Sequence, residues 1–154
     1  MPTLEEITYE AGRSALADQE SIVSGIRQRT GTLLAAHALV ASFLGGTAVR
    51  VHGLTVWCWL AFSALVLGLL LAAILLAPWR LRFAVNAREL YSELYREAAG
   101  EAESGSLGWL ASAGFGYERL RANNDERVSL MALLSGAVGV LMVAQTLAWL
   151  AALA

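Results

Sequence analysis

The chain is 154 residues long and 57% apolar, with a net charge of −2 from 13 carboxylates and 11 basic residues, every one of them arginine. A slightly acidic balance with scattered arginines excludes a nucleic-acid surface, and the single cysteine, Cys58, excludes an internal disulfide or a Cys/His metal framework. The apolar excess over a soluble domain is clustered: residues 30–49, 54–77 and 128–154 contain no Asp, Glu, Lys or Arg.

An α-helix rises about 1.5 Å per residue, so roughly 20 residues cross a hydrocarbon core about 30 Å thick. Each block is long enough to do so. The chain therefore reads as all-α, an integral membrane protein with three transmembrane helices, a two-span hairpin plus a C-terminal span, and amphipathic helices outside the membrane.

Residues 1–29 open with Thr3-Leu4-Glu5-Glu6, a capping-box spacing that starts a helix at Leu4. Leu4, Ile7, Ala11, Ala15, Ile22 and Ile26 then recur at helical spacing, with Glu5, Glu10, Arg13, Asp18 and Glu20 off that stripe. The polar face is mixed to acidic, which suits docking onto other helices better than lying on anionic lipid. A signal peptide needs a short, positive lead, whereas 29 residues rich in carboxylates precede the first block, so that block is expected to be retained.

The first span, 30–49, is expected to end at Gly45-Gly46. A short link with Arg50, His52 and Gly53 leads to the second, 54–77, which begins around Leu54 to Trp57 and closes at Pro78. In "WRLRF", Trp79 suits the headgroup level and Arg80 and Arg82 the water just beyond it. Residues 79–127 form a polar insert of two helices. Asn86 with Glu89 marks a start, and Phe83, Ala87, Leu90, Leu94 and Ala98 make its stripe; Gly100 and Ser104-Gly105-Ser106 make the break. Leu110, Ala113, Tyr117, Leu120 and Asn124 continue at helical spacing toward the third span, 128–154. Gly108, Gly114 and Gly116 weaken that helix by about 1 kcal/mol each.

Basic residues near span ends stay on the cytoplasmic side. Three arginines lie in the N-terminal segment, seven in the insert, one at the hairpin tip and none at the C-terminus. The expected topology has residues 1–29 and 79–127 cytoplasmic and the hairpin tip and C-terminus outside, with Trp57, Trp59 and Trp149 marking the outer interface.

His37 is the natural suspect for proton handling, because an ionisable group within a bilayer is costly. A neutral imidazole hydrogen-bonded to a neighbouring helix is the plainer reading. Gln145 and Thr146 are read the same way, as packing glue or, with His37, as the lining of a polar path. Small residues at four-residue spacing, Ala38, Ser42 and Gly46, Ala64, Gly68 and Ala72, and Ser135 with Gly139, favour close helix packing within or between chains. Glu89, Glu93, Glu97 and Glu101 form an acidic ridge read as a solvated face, since His37 and His52 lie elsewhere in the topology. No nucleophile–base pair, Walker loop, HExxH or dinucleotide fingerprint occurs, so neither enzymatic activity nor a cofactor or metal is expected.

The segments "SIVSGIRQRTGTLLAAHALVASFLGG", "PWRLRF", "NARELYSELYREA" and "ERLRANNDERVSLMALL", in this order, give a layout that resembles small bacterial three-span integral membrane proteins. More distantly it is similar to Pycsar-type transmembrane effectors and SLATT-domain membrane effectors. The residues point first to a non-enzymatic inner-membrane protein that oligomerises through its spans, with cytosolic helices receiving a signal or partner; the resemblance adds the expectation that it perturbs the membrane on activation, in antiviral defence. The residues alone leave two alternatives open: an accessory subunit of a larger membrane complex, and a small channel or transporter. The lipid bilayer and a second copy or another membrane protein are the expected partners, with no nucleic acid.

Overall fold

A computed structural model of the chain describes residues 2–83 and 106–154. Among these the fold is all-α: α1 (Leu4–Val40), a π-helical turn (Ala41–Gly45), α2 (Gly46–His52), α3 (Val56–Leu76) and α4 (Ser106–Leu153). Three helical stretches, Leu4–His52, Val56–Leu76 and Leu110–Leu153, are long and apolar enough to cross a membrane. The helix start expected at Asn86, the stripe that follows it, the acidic ridge from Glu89 to Glu101 and the break at Gly100 lie outside the described residues.

The first helix starts as its capping box requires. The Thr3 amide donates to Glu6 Oε2 at 2.9 Å and the Glu6 amide donates to Thr3 Oγ1 at 3.3 Å, so two orphan donors are satisfied reciprocally. From Leu4 the helix runs 37 residues without interruption. No break separates the charged segment from the first apolar block, because the only weak formers there are Gly25 and Gly31, whose cost of about 1 kcal/mol each is too small to end a helix.

Nor does helix end at the glycine pair. Gly45 and Gly46 keep right-handed angles (φ −64° and −59°) on either side of the boundary between the π turn and α2. The chain turns instead at Gly53, φ 72°, a left-handed conformation that glycine adopts without penalty. Thr55 then caps α3, its hydroxyl accepting from the Cys58 amide at 3.4 Å. Pro78 forces Ala77 out of helical angles (φ −57°, ψ 153°) and ends α3 at Leu76. At 21 residues α3 is about 31 Å long, close to one hydrocarbon thickness, whereas α1 and the 48-residue α4 far exceed it.

The chain forms two compact units, Met1–Val23 with Trp79–Val128, and Ser24–Pro78 with Ser129–Ala154. All 13 carboxylates belong to the first; the second has only Arg27, Arg29 and Arg50 as charged residues.

In the first unit the contact face of α1 is not the expected stripe. Leu16, Gln19 and Val23 are buried, while Leu4, Ile7 and Ile22 are exposed. The cause is a backbone approach: a Cβ on Gly114 would stand 2.7 Å from the Thr8 carbonyl oxygen, and one on Gly12 would stand 2.5 Å from that of Gly114. This pair of glycines sets the line along which α1 and α4 meet, and it explains why α4 tolerates glycine at 114. Around it Tyr9 and Tyr117 pack edge to face, centroids 5.8 Å apart, and Gln19 Nε2 donates to the Arg121 carbonyl at 3.2 Å. Asn124, buried in α4, holds the chain beyond Pro78: its Nδ2 donates to the Arg82 carbonyl at 2.9 Å and its Oδ1 accepts from the Arg82 amide at 3.4 Å.

The core of the second unit is built from small residues around one indole: Ala48, Cys58, Ala61, Ala148, Trp149 and Ala152, flanked by Val40, Leu44 and Leu153. Trp149, expected to mark an outer interface, has no exposed surface. The absence of a Cβ at Gly45 opens its slot, since one there would stand 2.9 Å from Trp149 Cζ2, and Phe62 meets the ring edge to face at 5.1 Å. Trp57 and Trp59 are exposed. Cys58 is buried as a free thiol.

The two glycine environments give opposite expectations. Gly114→Ala should destabilise the protein by about 1–3 kcal/mol despite alanine's better helix propensity, because backbone stands where the methyl group would go. Gly25→Ala, with nothing within 4 Å of its added Cβ, should be neutral or stabilise by up to about 1 kcal/mol. Thermal unfolding followed by circular dichroism in mild detergent measures both; equal melting of the two variants would refute the close approach.

Candidate functional site

Helical geometry carries His37 to the inner face of α1, three and a half turns beyond Ser24 and on the same side as Thr30, seven residues earlier. It is 1% exposed, and Gln145, on α4, is fully buried. The two close on each other. His37 Nδ1 meets Gln145 Oε1, Gln145 Nε2 donates to the His37 backbone carbonyl at 3.3 Å, and His37 Nε2 meets the Val138 backbone carbonyl at 3.2 Å. From α3, Gly68 completes the enclosure: a Cβ there would stand 3.2 Å from His37 Cε1.

Both ring nitrogens thus face oxygen acceptors. A neutral imidazole carries one N–H, so it donates to one of them and turns a lone pair toward the other. Reversing the Gln145 amide would relieve Nδ1 but set the amide oxygen against the His37 carbonyl. The chemistry that these contacts support is hydrogen bonding between α1 and α4.

Thr146 does not join this cluster. It is half-buried, and its hydroxyl donates to the Met142 carbonyl at 2.9 Å. Of the small-residue rows, Ala72 and Gly68 are buried and Ala64 is half-buried, Ser135 and Gly139 are half-buried, and Ala38, Ser42 and Gly46 are exposed on the chain. The Ser42 hydroxyl donates to the Ala38 carbonyl at 2.8 Å. Their polarity within apolar blocks identified His37 and Gln145 in the sequence and allowed a shared polar path, but the direct contact between them spans 108 residues and has no local signal. It gave no sign of the Val138 carbonyl, which every residue type carries.

Three buried polar atoms find no partner among the described residues: Gln19 Oε1, Arg27 Nε and Trp149 Nε1. No group of three or more His, Cys, Asp or Glu side chains converges among the described residues in a way that could hold a metal ion. No family model, no curated protein and no solved structure matches the chain.

The His37–Gln145 contact predicts non-additive energetics. His37→Leu and Gln145→Leu should each destabilise by about 1–2 kcal/mol, since each strands the other's buried polar atoms, and the double variant should cost less than the two losses together. A double-mutant cycle read from unfolding in mixed micelles measures the coupling. Strict additivity would mean the pair does not interact.

Proposed function

We propose that the chain is a non-enzymatic, multi-pass inner-membrane protein that oligomerises through its spans and passes a cytosolic signal, or the arrival of a partner, to the bilayer. The observation that carries this reading is the continuity of two helices. α1 runs unbroken from Glu5, Glu6, Glu10, Asp18 and Glu20 into the first apolar block, and α4 from Glu118, Asp125 and Glu126 into the last. A rotation or shift imposed on the charged end of an unbroken helix is transmitted along its axis, because its hydrogen bonds resist bending.

Two further features support it. The row Ala38, Ser42 and Gly46 lies exposed on one chain, where small side chains allow a second helix backbone to approach closely. The polar atoms of His37 and Gln145 are turned on one another, which favours a packing role over the lining of a permanently open path. The arginine distribution supports a cytoplasmic N-terminus and an external C-terminus. Membrane perturbation on activation and a place in antiviral defence rest on the resemblance to Pycsar-type and SLATT-domain effectors.

Native mass spectrometry from mild detergent should find a homo-oligomer, and Ser42→Leu should shift it to monomer while leaving helix content unchanged. Cells expressing the wild-type chain should depolarise when the trigger arrives, and cells expressing Ser42→Leu should not. A monomeric wild type, or one bound stoichiometrically to a different subunit, would replace the effector reading with the accessory one.

A further inference from the structure

Just past the end of α3, Arg80 and Arg82 line a cleft of about 610 Å³ together with Leu120, Asn123, Asn124 and Arg127 of α4. The whole cleft belongs to the first unit. Among its described lining residues three are guanidiniums and none is a carboxylate, although this unit holds all the carboxylates of the chain. The concentration of positive charge is therefore local and runs against the unit's own balance.

The cleft is also held in shape. Arg127 Nη1 donates to the Arg80 carbonyl, Asn124 pairs with both backbone groups of Arg82, and the Leu81 amide donates to the Trp79 carbonyl at 2.9 Å. These bonds occupy backbone groups and leave the Arg80 and Arg82 guanidiniums free of described carboxylate partners. Each guanidinium offers a planar fork of N–H donors that matches two oxygens of a phosphate, which a lysine ammonium does not. Leu120 adds an apolar wall, and the volume exceeds that of a bare phosphate ion.

We propose that this cleft binds a phosphate ester, its oxygens held between the Arg80, Arg82 and Arg127 guanidiniums and its organic part against Leu120. Arg80 follows Leu76, the last residue of α3, by four positions, so if α3 spans the bilayer as proposed above, the cleft opens near headgroup level. An anionic phospholipid is the nearest source on that reading; a free phosphate ester offers the same chemistry.

The test uses the full chain. In nanodiscs of phosphatidylcholine with phosphatidylglycerol, bound anionic lipid is counted by mass spectrometry; in lipid-free detergent, glycerol 3-phosphate is titrated. The variants are Arg80→Gln/Arg82→Gln, Asn123→Asp, which sets a carboxylate in the cleft without touching its backbone bonds, and Arg13→Gln/Arg119→Gln, which removes the same charge elsewhere. Both cleft variants should bind roughly tenfold more weakly, the loss of about one charge-assisted bond, while the control pair stays near wild type. Loss confined to the lipid arm identifies a headgroup site, and loss in the glycerol 3-phosphate arm a site for a soluble ester. Equal losses in cleft and control variants, or no phosphate binding in either arm, would overturn the proposal. The detergent arm needs no bilayer, so a failure of the membrane reading alone leaves it intact.

Discussion

Three runs without Asp, Glu, Lys or Arg leave a broad apolar surface exposed among the described residues. The described helices show the consequence. Val56, Trp59, Leu70, Leu133, Val140 and Leu147 are exposed along α3 and α4, alongside a core made largely of alanine. Water is a poor neighbour for so continuous an apolar surface, and hydrocarbon or another apolar helix is the neighbour that removes the penalty. Long uninterrupted helices suit such a neighbour, since a backbone placed in hydrocarbon must satisfy its own N–H and C=O groups.

The polar side chains of the second unit obey that constraint too. Thr30, Ser42, Thr47 and Thr146 each donate to the carbonyl four residues back, at 2.8, 2.8, 2.8 and 2.9 Å. Each hydroxyl is satisfied within its own helix and asks nothing of a neighbour. His37 and Gln145 are too large and too rich in donors and acceptors for that local solution, so they reach across helices. Specific pairing in this unit thus falls to two polar residues and one slot-bound indole, while alanines and glycines set the distances.

How much of this was legible in the sequence follows from the range of each signal. The start of α1 could be read because the capping box is complete within four residues, and the end of α3 because Pro78 acts on its immediate neighbour. The inner face of α1 could not. It depends on where Gly12 meets Gly114, a contact between glycines with no periodicity of their own, and it displaces Ile7 and Ile22 from the interior in favour of Leu16, Gln19 and Val23. Trp149 was misplaced for a related reason: a tryptophan near the end of a span ordinarily marks an interface, and only the missing Cβ of Gly45, over a hundred residues away in sequence, makes room for it inside. The glycine pair at 45 and 46 looked like a stop, yet a stop needs a residue that leaves helical angles, and that residue is Gly53.

Asn124 shows how one residue can serve both fold and chemistry. Beyond Pro78 the backbone of Arg82 has no helix to pair with, and an unpaired amide and carbonyl at a buried asparagine would be costly. A side-chain amide carries one acceptor and two donors on adjacent atoms, which is what a single extended residue offers in complement. Serine would have to serve both groups from a single oxygen, and aspartate would meet the carbonyl with a second acceptor. The choice of asparagine fixes the backbone between Arg80 and Arg82 and so fixes where their guanidiniums start. Arg127, one turn further along α4, catches the Arg80 carbonyl and closes the same small framework. A segment that would otherwise be a loose connector is therefore given a defined path by two side chains of a single helix, and the arginines inherit its order.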